Sequence, residues 1–140
     1  VALAISTACS SSAKAFASAW RHMRAGFCDA AVVGGVDSLC LTTLYGFNAL
    51  GLASCRPCRP WDAERDGLNI GEAAGFALLE WATPDDAHVL LRGYGESSDA
   101  YHMTAAHPEG VGAVLAMRQA LARADVTREH KNPGEIRRLP

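Results

Sequence analysis

The residue in this sequence best placed for covalent chemistry is Cys9, in the run ISTACSSS at 5–12. An apolar run ends just before it and a helical pattern begins just after it, which predicts a tight turn with the thiol at the start of a helix. Unpaired backbone N–H groups and the positive end of a helix dipole stabilise a thiolate there. The alternative is one more small buried side chain, as most free cysteines are, and local pattern alone does not decide between them.

Two other cysteines, Cys55 and Cys58, form a C-x-x-C motif with the spacing of a zinc knuckle. A structural zinc site needs four ligands, and no second close pair of Cys or His accompanies this one. We therefore interpret them as two loop thiols, with a zinc module as a distant alternative, and expect no metal. The total of five cysteines is odd and no signal-peptide pattern precedes them, which favours a reducing, cytoplasmic location.

The composition excludes several functional classes. The 140 residues suffice for one ordinary domain, and 49% apolar with 20% charged residues is a globular balance. A net charge of −2 gives no electrostatic signature for nucleic acid or a membrane surface. The uncharged stretch 38–55 contains Ser, Thr, Asn and Gly, so we interpret it as a buried globular segment and predict no membrane span.

The elements that would position Cys9 alternate between strand and helix patterns. Residues 2–5 predict a buried strand, and a helix follows from Ala13 until Gly26 stops it. One face of that helix carries the apolar residues Ala13, Phe16, Ala17, Trp20 and Met23. Residues 30–33 predict a fully buried strand, so the three elements would form a right-handed parallel βαβ unit.

The rest of the chain continues the alternation. We predict a helix over 41–50 ended by Gly51, a strand over 75–81, a strand over 88–95, and a helix from Pro108 to about Ala124. Beyond Val126 the sequence turns polar and shows no apolar period, which is typical of an unfolded tail.

Four blocks of sequence occur in an order and spacing that carry a family resemblance. They are STACSSSAKAF around Cys9, DAAVVGGVDS at 29–38, CRPWDAERDGLNIGEAAGFALLE at 58–80 and GYGESSDAYHMTAAHPEG at 93–110. Together they closely resemble the elongating β-ketoacyl-acyl-carrier-protein synthases, which are condensing acyltransferases with a thiolase fold. The resemblance covers about residues 1–126. The segments SSSAK and SLCLTTLYGF also resemble the branch found in polyene-type secondary biosynthesis.

The resemblance implies roles for individual residues. Cys9 would accept an acyl group from an acyl carrier protein, and its own backbone N–H would form half of an oxyanion hole. Ala8 and Phe47 would line the acyl pocket, although Phe47 as a plain core aromatic is an alternative. Asp99 and Thr104 would belong to a mobile loop that gates substrate entry. No cofactor is implied, because the substrates are carried on the phosphopantetheine of the carrier protein.

The resemblance also implies partners. Acyl and malonyl thioesters would be the substrates, and the strand around 30–35 would pair across a homodimer interface, unless it is the central strand of a monomer. The charged residues after Cys58 would brace a structural turn rather than act as acid–base catalysts: Asp62, Arg65, Asp66 and Glu72.

The sequence departs from the family in its histidines. Family members have one histidine in an HGT motif and one in a GHxxGA motif, which stabilise the enolate formed when the malonyl group loses carbon dioxide. Neither motif occurs here, and none of the five histidines matches a catalytic position: His22, His88, His102, His107 and His130. We therefore expect an internal fragment that supplies the nucleophile without these donors.

The fold class that follows is α/β, an incomplete thiolase-like arrangement of layers with mixed, largely parallel sheets. Residues 1–86 would end the N-terminal half of the synthase, 87–126 would begin the C-terminal half, and 127–140 would be the polar tail. Missing strands should leave exposed edges that make the isolated chain prone to aggregation. Two alternatives stay open: an inactive fragment that binds a partner, and a related thiolase or chain-initiating synthase.

Overall fold

The computed structural model describes residues 1–83, 89–102 and 105–126, within which it contains three helices and two strands. In chain order these are α1 (Ser11–Arg24), β1 (Ala30–Asp37), α2 (Leu41–Ala49), β2 (Ala73–Glu80) and α3 (Val111–Arg123). None of these helices is long and apolar enough to cross a bilayer.

The described residues divide into two compact units. The first unit consists of Val1–Ala19 and Ala30–Leu79, and the second of Trp20–Asp29 with the described residues beyond Leu79. The α/β class is confirmed, and the domain limits at 86 and 126 stay predictions. The tail at 127–140 lies outside the described residues.

The sheet of the first unit pairs β1 with β2 in antiparallel orientation. The pairing is close at Gly34, where an added Cβ would overlap the carbonyl oxygen of Gly75 and the ring of Phe76. Only glycine fits at this position, because the Phe76 ring lies over it. The prediction of largely parallel strands is therefore wrong for the described sheet.

The two faces of this sheet differ in burial. On one face Val33 is 4% exposed, and Gly35 lies beside α1, where an added Cβ would be 3.0 Å from the Ser12 hydroxyl. On the other face the apolar side chains are uncovered, with Val32 75% and Phe76 67% exposed. The expectation that 30–33 is fully buried is thus wrong, because the sheet is covered on one side only.

The predicted strand at 2–5 is also wrong. No strand is formed there, and Leu3 is 62% exposed. A strand needs hydrogen-bond partners along its length, and within the described ranges this segment has none. The parallel βαβ unit is therefore absent from the described part of the chain.

Helices α1 and α2 agree with the sequence-based predictions better than the strands do. Helix α1 begins at Ser11, two residues before the predicted start, and Ala17 and Met23 on its apolar face are 1% and 6% exposed. Helix α2 ends at Ala49, and Gly51 adopts a left-handed φ of +68°. Glycine reaches that conformation without the steric cost of a Cβ, which is why it ends the helix where predicted.

The second unit replaces a predicted strand with an extended segment packed on α3. Added Cβ atoms at Gly93 and Gly95 would overlap the backbone of α3, at Ala120 and Ala116 respectively. The two glycines thus pack against residues one helical turn apart, and the backbone of the segment directly contacts the backbone of α3. The predicted strand at 88–95 is wrong over 89–95, and His88 lies outside the described residues.

Side chains of α3 take over the hydrogen bonds that a neighbouring strand would have made. Arg123 donates to the carbonyl of Tyr94 at 2.6 Å, and Gln119 accepts from the N–H of Glu96 at 3.4 Å. These two backbone groups, the Tyr94 carbonyl and the Glu96 N–H, are thus satisfied without a neighbouring strand.

The ring of Tyr94 organises the same unit. The Arg123 guanidinium lies 4.4 Å and the Arg21 guanidinium 5.3 Å from its centroid, and Trp20 meets it edge-on at 5.5 Å. Arg21 also pairs with Glu96 at 2.6 Å. Stacked cations and a T-shaped ring pair stabilise a surface that has little apolar core.

Helix α3 begins at Val111, three residues after the predicted start at Pro108. Gly110 is its N-cap residue, with a φ of +64°, and its N–H donates to the carbonyl of His107 at 2.8 Å. Because residues 107–110 form this turn, the helix begins only after Gly110. The predicted end near Ala124 is confirmed, since Arg123 is the last helical residue.

The charged residues after Cys58 brace their loop as the sequence predicted. Asp62 accepts from the N–H of Glu64 at 2.8 Å, and its carbonyl accepts from Arg65 at 2.9 Å. Glu72 accepts from the N–H of Leu39 at 2.9 Å, which connects the loop to the segment before α2.

Asp66 and Asn69 hold the other end of the loop. Asp66 accepts from the Ser54 hydroxyl at 2.9 Å and from Arg56 Nε at 2.8 Å. Asn69, which the sequence did not single out, donates to the carbonyls of Ser54 and Arg56 and accepts from the Cys58 N–H at 2.7 Å. Cys55 and Cys58 are exposed free thiols in this braced loop.

Replacing Gly95 with alanine should destabilise the second unit by about 2 kcal/mol, because the new methyl group would overlap the Ala116 carbonyl. Amide hydrogen exchange of α3 measures the loss. Gly46→Ala is the control, because nothing lies within 4 Å of a Cβ at that helical position and the substitution should stabilise α2. Equal α3 protection in Gly95→Ala and the wild type would contradict the packing.

Hydrogen bonds from Arg56 first and Ser54 second hold the pKa of Asp66 below its usual value. The stability that they contribute is present above the ordinary aspartate pKa of about 3.9 and is lost as pH falls through the lower folded value. The protection of the 54–69 loop against hydrogen exchange, taken relative to the intrinsic exchange rate at each pH, should therefore fall on acidification in the wild type. Asp66→Asn should already show fast exchange at pH 7 with a smaller acid response.

The control for this titration is Asp29→Asn, whose carboxylate makes no hydrogen bond within the described ranges. It should keep the wild-type response of the 54–69 loop. An Asp66→Asn chain with wild-type protection at pH 7 would show that the carboxylate does not brace the loop.

Candidate active site around Cys9

Cys9 lies in a turn that leads directly into α1. The N–H of Ser10 donates to the carbonyl of Thr7 at 3.3 Å, and the N–H of Ser11 donates to the carbonyl of Ala8 at 3.1 Å. The Ser10 carbonyl accepts the first helical hydrogen bond, from Lys14 at 3.0 Å, so Ser10 is the N-cap residue. Cys9 is one residue outside the helix and is exposed, as the change of sequence period predicted.

The backbone of this turn is strained at Ala8, whose φ is +52°. A residue with a Cβ pays for the left-handed conformation by about 1–2 kcal/mol, and such outliers persist only where surrounding interactions hold them. The conformation turns the chain sharply directly before Cys9, whose thiol is exposed.

Two serine hydroxyls supply those interactions. Ser10 Oγ donates to the carbonyl of Thr7 at 2.9 Å and lies 3.0 Å from the Thr7 hydroxyl. Ser11 Oγ accepts from the N–H of Thr7 at 2.8 Å and donates to the carbonyl of Ala8 at 2.7 Å. The hydroxyls of Ser10 and Ser11 are thus hydrogen-bonded to Thr7 and Ala8 within the turn.

The electrostatics of α1 favour an anion at its start. The first turn holds no acidic residue, and the last turn holds Arg21, His22 and Arg24. No carboxylate of the first turn therefore opposes the positive end of the helix dipole, which lies next to Cys9. An exposed thiol in this position can act as a nucleophile toward a thioester.

The structure places the two predicted acyl-pocket residues in the first unit. Ala8 directly precedes Cys9 in the turn, and Phe47 is half-buried on α2. Their role in binding an acyl chain stays a prediction.

Asp99 belongs to the second unit, where it closes a loop. Its two carboxylate oxygens accept from the N–H of Tyr101 at 3.1 Å and of His107 at 3.0 Å. These bonds, that from His107 first, hold the pKa of Asp99 below its usual value. The Tyr101 and His107 rings meet edge-on at 5.0 Å. Gating stays a prediction, and Thr104 lies outside the described residues.

The histidines of the described ranges have structural contacts. His107 Nδ1 accepts from the N–H of Glu109 at 3.2 Å, and the His22 ring lies 5.8 Å from that of Phe27. His88 and His130 lie outside the described residues. Within the ranges searched, no three Cys, His, Asp or Glu side chains converge as a metal site.

A second thiol with an unusual setting, Cys40, was missed from the sequence. It is the N-cap residue of α2, with its Sγ 3.0 Å from the Thr43 hydroxyl. Hydrogen bonds that the sulfur accepts, from that hydroxyl first and from the Thr43 backbone second, favour the thiolate and lower the pKa of Cys40. The sequence signal was the position of this cysteine directly before the helical run LTTLYGF.

Comparison with known proteins gives this geometry its context. Residues 1–84 match the family model described as the β-ketoacyl synthase N-terminal domain. Over 134 residues the chain is 40% identical to a 3-oxoacyl-[acyl-carrier-protein] synthase 2 of Rhizobium meliloti, covering 86% of this chain and 32% of that protein.

Solved structures agree with this match. The ketosynthase ApeO in complex with its chain length factor ApeC, from Xenorhabdus doucetiae, is similar with a TM-score of 0.80 and 44% identity, over 88% of this chain and 30% of that one. The AntDE:AntF structure, a type II PKS acyl-carrier protein in complex with its ketosynthase bound to the hexaketide, gives a TM-score of 0.80 and 31% identity, over 91% and 35%.

The chain therefore spans about a third of the length of the relatives that it matches. The family match covers more than half of the chain and includes the turn that carries Cys9. The chain belongs to the β-ketoacyl synthase family of condensing acyltransferases, of which it is a fragment.

Proposed function

We propose that this chain supplies the nucleophile of a 3-oxoacyl-[acyl-carrier-protein] synthase, with Cys9 as the residue that carries the acyl group. The observation that supports the proposal most is the exposed thiol in a strained, hydrogen-bonded turn at the start of α1, within the residues that match the family.

The reaction of the parent enzyme would proceed in two stages. The Cys9 thiolate attacks the carbonyl of an acyl thioester and the Sγ–C bond forms. The C–S bond to the carrier breaks, and the carrier leaves as a thiolate that takes up the proton given up by Cys9. A malonyl thioester then loses carbon dioxide, and its carbanion attacks the acyl carbon. The bond between Sγ and the acyl carbon then breaks, so that the Cys9 thiolate is regenerated and a 3-oxoacyl thioester is released. The Cys9 N–H would donate to the oxyanion in both tetrahedral intermediates.

We propose an acyl carrier protein as the partner that delivers both substrates. The AntDE:AntF complex supports this, because it holds an acyl-carrier protein with a ketosynthase 31% identical to the chain. For the second subunit, the homodimer expected from the sequence competes with a chain-length factor, which accompanies the 44% identical ketosynthase. The type II PKS ketosynthase of the AntDE:AntF structure and the SSSAK segment together support a polyketide or polyene pathway rather than primary fatty acid synthesis.

A second candidate is a catalytically inactive fragment that binds a partner. The observation that favours it is the lack of both HGT and GHxxGA motifs in the 140 residues. The two candidates differ in whether Cys9 accepts an acyl group.

Acyl transfer tests the nucleophile. Incubating the chain with an acyl thioester should add one acyl group to Cys9, measured by intact and peptide mass spectrometry, because the thiol is exposed and next to a helix start. Cys9→Ala should abolish the adduct, and Cys40→Ala should keep it. An adduct of wild-type size in Cys9→Ala would exclude Cys9 as the acyl carrier.

A condensation assay tests whether the chain can form product without the HGT and GHxxGA histidines. With acyl and malonyl carrier proteins the 140-residue chain should form no 3-oxoacyl product, because loss of one oxyanion donor alone costs about a hundredfold or more in rate. Release of labelled carbon dioxide and product mass measure the reaction, with a complete family member as the positive control. Turnover by the chain alone would contradict the role assigned to the absent histidines.

A further inference from the structure

Ser11 bonds to the backbone on both sides of Ala8. Its hydroxyl accepts from the N–H of Thr7 at 2.8 Å and donates to the carbonyl of Ala8 at 2.7 Å. The same carbonyl accepts from the N–H of Ser11 at 3.1 Å. Ser11 therefore closes a short ring that contains the residue before Cys9.

The carbonyl that Ser11 holds shares a peptide plane with the N–H of Cys9. The peptide unit is planar and trans, so the N–H points opposite to the carbonyl. Fixing the Ala8 carbonyl toward Ser11 therefore fixes the Cys9 N–H in the opposite direction, away from the first turn of α1. The donor that would face a developing oxyanion is set by a side chain two residues further on.

The same bonds hold the strained residue in place. Ala8 has a φ of +52°, and a residue with a Cβ leaves this region unless its neighbours prevent it. The Ser11 bonds are lost if Ala8 relaxes, because its carbonyl and the Thr7 N–H would turn away. The direction of the Cys9 side chain depends on the same backbone.

The three serines after Cys9 do not share this role. The Ser10 hydroxyl bonds only to Thr7 within the described ranges, on the far side of Ala8. The hydroxyl of Ser12 makes no hydrogen bond within the described ranges and faces Gly35 of β1. Ser12→Ala is therefore a matched control, with the same chemical change one residue away.

We propose that Ser11 is a positioning residue for Cys9, which fixes the Ala8–Cys9 peptide so that thiol and N–H together face an incoming carbonyl. A role of Ser11 in acyl transfer rests on the proposed function, whereas its effect on the reactivity of the Cys9 thiol does not.

The experiment measures alkylation of the 140-residue chain by iodoacetamide, with the rate at each cysteine obtained from peptide mass spectrometry. Cys40, an exposed thiol before another helix, is the internal reference. In Ser11→Ala the ratio of the Cys9 rate to the Cys40 rate should fall about fivefold, since one neutral hydrogen bond is worth about that factor. Ser11→Thr keeps the hydroxyl and should restore the ratio, and Ser12→Ala should leave it unchanged.

An unchanged ratio in Ser11→Ala would overturn the proposal. An equal rise at all five cysteines would overturn it too, because Ser11 would then stabilise the fold rather than position one thiol. Failure of Ser11→Thr to restore the ratio would show that the hydroxyl is not the active group.

Acyl transfer to the same variants separates this proposal from the proposed function. A wild-type chain that accepts no acyl group, with a ratio that still falls in Ser11→Ala, would refute the synthase role and support the positioning role. Acylation of the wild type with an unaffected ratio in Ser11→Ala would refute the positioning role alone.

Discussion

The peptide that joins Ala8 to Cys9 is the constraint on which the candidate site depends. The left-handed φ of +52° at Ala8 is unfavourable for any residue with a Cβ. It is held by the Ser11 hydroxyl, which accepts from the Thr7 N–H and donates to the Ala8 carbonyl. The chain can then enter α1 immediately after a sharp reversal. Five consecutive residues thus create the setting of the thiol, and for this reason the site geometry is formed in a third of a synthase.

The sheet depends instead on contacts over long sequence separation, and there the chain is incomplete. Its strands carry apolar residues on both faces, which is typical of a strand buried on both sides. Only the face that carries Val33 is covered, and Val32 and Phe76 on the other face stay exposed. Local hydrogen bonds survive in a fragment because both partners are present, whereas burial needs layers that lie elsewhere in sequence.

The difference between local and long-range contacts also explains which elements could be predicted from the sequence. Helix α1 follows from its apolar period, the ends of α1 and α2 follow from Gly26 and Gly51, and the Cys9 turn follows from the change of period. The strand at 89–95 could not be excluded, because an apolar run does not specify its partner. Its backbone packs on α3 only because Gly93 and Gly95 meet Ala120 and Ala116. The hydroxyl partners of Ser11 likewise depend on backbone angles that residue types do not specify.

Comparison of Cys9 with Cys40 shows why a reactive thiol is not sufficient for catalysis. Both thiols are exposed and precede a helix, and Cys40 has in addition a hydrogen bond from Thr43 that lowers its pKa. Yet Cys40 is itself the N-cap residue in extended conformation, with a φ of −132°, and is not held by a closed ring of side-chain bonds. Acyl transfer needs an N–H directed at the oxyanion as well as a thiolate. The positioning proposed for Ser11 would meet that second requirement through the backbone geometry of the turn before α1.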